Sequence, residues 1–337
     1  MTSIDDVARA TGVSTATVSR ALRGLANVSE PTRLRVQAKA DELGYVASLT
    51  ASGLATGRTL TMGVVVPSVS RWFYTTVLEG IDVVLRAANY DLMLYNLASR
   101  SGDRERVFHR SILRKRTDAL IALCMEFTEP EREQLLSLGH PALVIGGPVK
   151  GMRHIGIDER GAGRTATEHL IELGHTAIAH LGGDDDEGMN RRVPLTRRLG
   201  YRDAMGSAGL PVRNEWMLSG RFSLAISRAV VTELLRRPGE RPTAIVANSD
   251  EMAIGAILAA ADCGISVPSQ LSVVGVDNHD LAVSFGLTTI AQDPYEQGRL
   301  AASMLLDELG GAPARKSSVR APSSLLVRTS TAPPVRR

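Results

Sequence analysis

From residue 60 onward, short apolar segments alternate with longer amphipathic ones, and this alternation constrains the fold more than any other feature. Segments such as TMGVVV (61–66), DLMLYN (91–96) and TAIVA (243–247) have the length and the β-branched content of buried strands. The stretches between them carry apolar residues at helical spacing. This pattern predicts an α/β fold in which doubly wound parallel sheets are covered by helices.

The alternating region contains two halves that resemble each other. The sequence VVVPSV…LEGIDVVLRAANYDL in the first half is matched by AHLGGD…RLGYRDAMGSAGLP in the second, so that Gly80 and Gly200 are equivalent. Two doubly wound lobes side by side favour a ligand cleft at the carboxyl ends of their strands.

The first 45 residues predict a separate head of three short helices. Ser3 and Asp6 have the spacing of a capping box, Ser14 and Ser29 are further N-cap candidates, and Gly12 suits a tight turn. The inner face of the third helix is predicted to consist of Leu34, Ala38 and Leu43. Two helices joined by a short glycine turn are typical of a helix-turn-helix, although a small helical cap that binds nothing has the same pattern.

More specific motifs run through the head. The pattern V-A-x-x-x-G-V-S-x-x-T-V-S-R-x-L covers residues 7–22, V-S-x-x-T-R-x-R-V covers 28–36, and E-L-G-Y covers 42–45. These motifs resemble the head of the lac-repressor family of bacterial transcription regulators. The resemblance implies that the second helix enters the major groove of a near-palindromic operator, which a homodimer binds. It places base-reading side chains at Thr15, Ala16 and Arg20.

Further contacts follow from the same comparison and from residue chemistry. Hydroxyl and amide side chains can donate to DNA phosphates, which sets the register without reading sequence. The full set of predicted DNA contacts in the head is Ser14, Thr15, Ala16, Thr17, Ser19, Arg20, Asn27, Ser29 and Thr32.

The segment from residue 47 to 59 is rich in serine, threonine and glycine, which is typical of a linker. In the family it implies a hinge helix that forms on DNA, with Leu54 as an apolar wedge in the minor groove. A helix of this length is too short to be stable alone. The chain departs from the family's hinge pattern, since Ala47, Ser48 and Ser52 replace a proline, an asparagine and an arginine.

The body resembles periplasmic sugar-binding proteins, as the sensor domains of this family do. The resemblance implies three crossings between the lobes, near residues 160, 291 and 322. The implied domains are the head (1–46), the hinge (47–59), an N-terminal lobe (60–160 plus 292–321), a C-terminal lobe (161–291 plus 322–332) and a disordered tail (333–337).

Four polar positions match the ligand contacts of the family: Arg197, Asp250, Asp277 and Gln292. Phe222 matches an aromatic residue that stacks on the ligand, and the first loop contributes Ser70, Trp72 and Phe73. The predicted effector is a sugar or sugar derivative bound between the lobes, with a purine or nucleoside as the alternative. The sequence is equally compatible with structural roles for these residues. In that alternative, Phe73 or Tyr74 packs a helix onto the sheet, Asp250 caps a helix, and Asp277 caps a turn.

Several classes of protein are disfavoured. No apolar run approaches ~20 residues, and the N-terminus has no basic and apolar leader, so a cytoplasmic protein without a membrane span is expected. Cys124 and Cys263 fit reduced core thiols. The histidines and the acidic stretch 182–188 lack metal-site spacing, and no phosphate loop or catalytic triad occurs. We therefore expect no metal, no cofactor and no enzymatic activity; the remaining alternative is a solute-binding protein that does not bind DNA.

Overall fold

The computed structural model describes residues 2–22, 24, 26–45, 58–97, 104, 116–137, 139–183, 192–314 and 318–335. The predicted hinge residues Ala47, Ser48, Ser52 and Leu54 lie outside the described residues, as does most of the acidic stretch 182–188. No helix in the described ranges is long and apolar enough to cross a membrane.

The head consists of three helices, α1 (Ile4–Thr11), α2 (Thr15–Leu22) and α3 (Glu30–Glu42). The capping box predicted for the first helix is confirmed, since the Ser3 side chain accepts from the Asp6 amide and the Asp6 side chain accepts from the Ser3 amide. Gly12 follows at φ 67°, a left-handed conformation that glycine adopts without a steric penalty. The turn between α1 and α2 therefore has the expected local cause.

The inner face of α3 agrees with the prediction at Leu43, which packs against the core of the head, but differs at the other two positions. Leu34 is 58% exposed and Ala38 is exposed, whereas Val36 and Ala40 are buried against α1 and α2. Apolar residues occur on several faces of α3, so its own sequence does not select the buried one. The contacts with Val7 and Val18 make that selection.

Two six-stranded sheets form the body, as the alternating pattern predicts. The first contains β1 (Thr61–Val66), β2 (Asp91–Asn96), β3 (Ala119–Leu123), β4 (Ala142–Ile145), β5 (His154–Gly156) and β11 (Val319–Arg320), in the order β11-β5-β4-β3-β1-β2. The second contains β6 (Ile178–Gly182), β7 (Met217–Ser219), β8 (Ala244–Ala247), β9 (Ser272–Asp277), β10 (Thr288–Ala291) and β12 (Ser324–Leu326), in the order β12-β10-β9-β8-β6-β7. All pairings are parallel except that of β12 with β10.

Helices cover both sheets. They are α4 (Trp72–Ala87), α5 (Glu129–Leu136), α6 (Glu159–Glu172), α7 (Arg192–Ser207), α8 (Leu224–Arg236), α9 (Asp250–Asp262) and α10 (Pro294–Leu309). Single 3-10 turns occur at Asn214–Trp216 and Asp280–Ala282. Helices α4 and α10 pack together on the first lobe, and α6 packs with α7 on the second.

Glycines allow these helix pairs to approach closely. A Cβ atom on Gly80 of α4 would lie 2.0 Å from the carbonyl oxygen of Tyr295 in α10. A Cβ atom on Gly200 of α7 would lie 2.1 Å from the carbonyl oxygen of Arg160 in α6. The two positions that the internal similarity makes equivalent therefore have the same packing role.

The chain passes between the sheets at three places. These are residues 157–158 between β5 and α6, 292–293 between β10 and α10, and 321–323 between β11 and β12. Because every strand pair except β10 with β12 is parallel, the carboxyl ends of the parallel strands in both sheets face a common cleft.

Candidate functional site

The exposed face of α2 carries the predicted base-reading residues. Val18 and Ala21 are buried in the head, whereas Thr15, Ala16 and Arg20 are exposed. Ala16 and Arg20 are one helical turn apart and so are neighbours on that face. The geometry offers a narrow strip of small side chains with one long cation at its end.

The hydroxyl residues of the head also support its local structure. Ser14 Oγ accepts from the Thr17 amide at 3.2 Å and lies 2.9 Å from Thr17 Oγ1, so it caps α2. Ser29 is the residue before α3, but its Oγ lies 2.9 Å from Thr32 Oγ1 and does not bond a helix amide. Ser19 is half-buried, whereas Asn27 is exposed with φ 76°.

A cavity with about 620 Å³ of empty space, including solvent at its mouth, lies between the two lobes. Five of the predicted effector contacts line it: Phe73, Arg197, Phe222, Asp277 and Gln292. The cavity also contains lining residues that the sequence did not indicate, namely Arg71, Cys124, Gly146, Gly156, Glu159, Val193, Pro194, Ser249, Glu251 and Gln297.

Arg197 and Glu159 form a buried ion pair at the cavity. Arg197 Nε donates to Glu159 Oε2 at 2.6 Å, and the guanidinium also donates to the carbonyl of Asn248. Burial opposes the charge on Arg197, but the carboxylates of Glu159 and Asp277 outweigh it and raise the pKa of the guanidinium. The residue is therefore a fixed cation within reach of ligand hydroxyls or other acceptors.

Asp277 lies at the carboxyl end of β9. Its Oδ1 accepts from Gln292 Nε2 at 2.6 Å. Burial raises the pKa of Asp277 well above its usual value, while Arg197 partly opposes the shift and Asp250 adds to it. Asp277 and Asn278 both have positive φ, so the chain turns sharply here and directs the carboxyl group toward the cleft.

Aromatic rings form the apolar part of the cavity. Phe73 and Tyr74 lie in the first turn of α4 with ring centroids 5.8 Å apart in an edge-to-face arrangement, and both line the cavity. Tyr74 is also part of the core of the first lobe. Phe222 approaches from the second lobe, with the Arg71 guanidinium 5.9 Å from its ring centroid. Rings from both lobes can therefore contact the faces of one ligand.

Three predicted effector contacts do not line the cavity: Ser70, Trp72 and Asp250. Ser70 is exposed, and its Oγ bonds Ser68 Oγ at 2.8 Å. Trp72 lies at the rim, where Nε1 donates to Asp280 Oδ2 at 2.9 Å and the ring lies 4.7 Å from that of His279. The tryptophan thus links the two lobes beside the cleft.

Asp250 is completely buried behind the cavity. It accepts from Thr289 Oγ1 at 2.7 Å and from the His279 amide at 2.8 Å. Burial raises the pKa of Asp250 to about 6, and these hydrogen bonds oppose the shift. The residue joins the start of α9 to β10 and to the loop after β9.

The described residues give no support to metal binding or covalent chemistry. Among them, no group of three potential metal ligands occurs. Burial raises the pKa of the Cys124 thiol to about 12, so the thiol stays protonated and is a poor nucleophile.

A helix-turn-helix head joined to a two-lobed binding domain defines a class of ligand-responsive DNA-binding proteins, and comparisons with known proteins agree. Residues 3–48 match the family of bacterial regulatory proteins called the lacI family, and residues 167–331 match a periplasmic binding protein-like domain. The HTH-type transcriptional repressor PurR of Vibrio parahaemolyticus is 34% identical over 92% of this chain and 92% of its own. The chain therefore belongs to the lacI family, and it is a DNA-binding transcriptional regulator with an effector domain.

Solved structures give the same result. The structure of the lac repressor dimer bound to operator and the anti-inducer ONPF matches with a TM-score of 0.84 and 26% identity, over 98% of this chain and 99% of that one. The complex of the transcriptional regulator CelR with cellobiose matches with a TM-score of 0.71 and 29% identity, over 98% of this chain and all of that one. The predicted family and fold class are confirmed.

Proposed function

We propose that the protein is a repressor that binds a near-palindromic operator as a homodimer, and that a sugar in the cleft changes its affinity for the operator. The observation that carries the proposal is the convergence of both lobes on one cavity. Phe73 comes from the first lobe, whereas Arg197 and Asp277 come from the second. A ligand that touches all three has different contacts in the open and closed arrangements of the lobes.

Differential contact is what regulation requires. A ligand shifts a conformational equilibrium only by the difference between its affinities for the two states. The first lobe begins with β1 at Thr61, directly after the segment that connects it to the head. We place Leu54 in the minor groove of the operator, where an apolar wedge kinks DNA.

A sugar fits the chemistry of the cavity. Sugars present hydroxyl groups that donate and accept at their edges and C–H groups on their faces. The cavity supplies the Arg197 and Glu159 pair, Asp277 and Gln292 for the edges, and aromatic rings for the faces. The cellobiose bound to CelR supports the same class of ligand.

In the head, we assign base reading to Thr15, Ala16 and Arg20. Thr15 and Ala16 offer methyl groups and one hydroxyl, so direct readout depends mainly on Arg20, which can bond a guanine with two hydrogen bonds. Ser14, Thr17, Ser19, Asn27, Ser29 and Thr32 are assigned to phosphates. Because few side chains contact the bases directly, DNA deformation and half-site spacing supply much of the remaining specificity.

The test begins with a thermal-shift screen of the full-length protein against D-ribose, D-glucose, D-galactose and cellobiose, with hypoxanthine and guanine as the purine arm. A ligand at a hundred times its Kd stabilises the folded state by about 2.7 kcal/mol, which gives a clear rise in Tm. Footprinting of the protein's own upstream DNA is then performed with and without the ligand that binds. Stabilisation by purines alone contradicts a sugar effector, and a footprint that no ligand alters contradicts regulation through the cleft.

Two variants provide matched controls. Phe222→Leu replaces an aromatic ring of the cavity with an aliphatic side chain. It should weaken ligand binding about tenfold while operator binding persists. Ser70→Ala removes a hydroxyl that lies outside the cavity and should leave ligand binding unchanged. Equal losses in both variants would contradict the position of the site.

A further inference from the structure

A chain of buried amides crosses from the second lobe to the first and ends at the cavity. Asp277 Oδ1 accepts from Gln292 Nε2 at 2.6 Å, and Gln292 Oε1 accepts from Gln297 Nε2 at 2.9 Å. Asp277 ends β9, Gln292 lies at the crossing after β10, and Gln297 lies in the first turns of α10. The side-chain oxygen of Gln297, Oε1, is buried and has no hydrogen-bond partner among the described residues.

Both amides have a definite direction in the hydrogen-bond pattern of the structure. Gln292 presents its NH2 group to Asp277 Oδ1 and its oxygen to Gln297. Gln297 must then present its NH2 group to Gln292, which leaves its own oxygen at the end of the chain. The free group is consequently an acceptor.

Packing holds this acceptor in place. The residue after Gln297 is Gly298, where a Cβ atom would lie 2.2 Å from the carbonyl oxygen of Val77 in α4. The start of α10 thus sits against the helix that carries Phe73 and Tyr74. Gln297 is itself 3% exposed and lines the same cavity as those rings.

An unsatisfied buried acceptor is costly and calls for a donor. We propose that Gln297 is a specificity-determining residue of the effector site, and that its Oε1 accepts a hydrogen bond from a hydroxyl group of the sugar. This inference rests on the proposed sugar effector. It requires a donor at this end of the ligand, so a sugar with a phosphate or carboxylate at that position is rejected.

Isothermal titration calorimetry on the full-length protein tests the inference. The probe is the sugar of the panel above that gives the largest thermal shift, together with its monodeoxy analogues. One analogue lacks the hydroxyl that donates to Gln297 Oε1. The wild-type protein should bind that analogue at least about tenfold more weakly than the parent sugar. Gln297→Met, which has a similar length and no acceptor, should bind the parent and that analogue with equal affinity.

Two further variants make the result specific. Gln297→Glu keeps an acceptor at the same position and, with its carboxyl group protonated, a donor to Gln292 Oε1, so it should retain the discrimination between parent and analogue at acidic pH. Gln134→Met in α5, outside the cavity, should behave as wild type. If Gln297→Met keeps the full wild-type discrimination against every analogue, the role of Gln297 is wrong while the sugar effector stands. If no sugar of the panel binds the wild-type protein, the proposed effector is wrong and this inference falls with it.

Discussion

Arg197 Nε lies 2.6 Å from Glu159 Oε2, and the two side chains are only 5% and 11% exposed. Glu159 begins α6 and Arg197 lies in α7, so the pair joins two helices at the wall of the cleft. Loss of one partner leaves a buried charge uncompensated, which is strongly destabilising. We expect Glu159→Gln to lower the free energy of unfolding by about 3 kcal/mol in urea denaturation.

The same two helices supply a matched control. Arg160 and Asp203 form an ion pair between α6 and α7 with Nε and Oδ2 2.5 Å apart, but this pair is open to solvent. Exposed pairs contribute little because water and salt screen them. Asp203→Asn should therefore cause little measurable change in the free energy of unfolding. A loss of stability as large as that of Glu159→Gln would show that the contribution of the Arg197 and Glu159 pair does not come from its burial.

The close contact between α6 and α7 gives a second prediction. A Cβ atom on Gly163 would lie 2.1 Å from the carbonyl oxygen of Arg197, so Gly163→Ala must push the helices apart. Overpacking of this kind costs about 1–3 kcal/mol, measured by urea denaturation. Gly206→Ala, in α7 with nothing within 4 Å of the new methyl group, should be neutral or slightly stabilising. Tolerance of both substitutions would contradict the observed packing.

A third prediction concerns pH. Burial raises the pKa of Asp250 from 3.8 to about 6, so the folded state binds a proton more tightly than the unfolded state does. The resulting penalty is absent below about pH 4, grows as the pH rises to about 6 and is constant above that. Its full size is about 3 kcal/mol, since each pKa unit corresponds to about 1.4 kcal/mol.

The comparison that isolates this effect is Asp250→Asn. The stability of this variant relative to wild type should increase between pH 4 and 7 by about that amount, on top of a constant loss from the changed hydrogen bonds. In Asp262, a hydrogen bond with Arg228 lowers the pKa below 3.8, so its pH dependence falls below about pH 4 and Asp262→Asn should show almost no trend between pH 4 and 7. A difference between Asp250→Asn and wild type that does not vary with pH would refute the raised pKa.

Local features were predictable from the sequence because their causes are local. The Ser3 capping box and the Gly12 turn involve residues three or four positions apart, and β1 was predicted over its full length, residues 61–66. The predicted face of α3 was wrong at Leu34, which faces solvent while Val36 faces the core, and right at Leu43, which packs against that core. Such a choice depends on the packing of α1 and α2, which the spacing of apolar residues in one helix does not contain.

The same limit applies to the cleft. Glu159 and Gln297 lie just beyond two crossings between the lobes, so their place in the wall depends on how distant strands end together. Asp250 has the residue type of a ligand contact, but its carboxylate lies against β9, where a Cβ atom on Gly275 would be 2.1 Å from Oδ1. Because residue 275 is glycine and has no side chain, the Asp250 carboxylate can pack against β9 at this position.

A fourth prediction addresses the head. Ala16 is exposed on α2 beside Arg20, and glutamine at this position can bond an adenine with two hydrogen bonds. Selection of binding sites from random DNA should give Ala16→Gln a different consensus from that of the parent. An identical consensus would remove residue 16 from the base-reading set.

The most direct test of the account separates the head from the cleft in one set of fluorescence anisotropy titrations, using the footprinted operator and the sugar identified by thermal shift. Wild-type protein should bind the operator at nanomolar concentrations, with an affinity that falls steeply with salt, and the sugar should change that affinity by about 5- to 150-fold. Arg20→Ala should lose specific operator binding but still bind the sugar, whereas Phe222→Leu should bind the operator and need about ten times more sugar to respond. Wild-type protein that binds a scrambled sequence as tightly as the operator, or that binds the sugar with no change in operator affinity, would contradict the central claim.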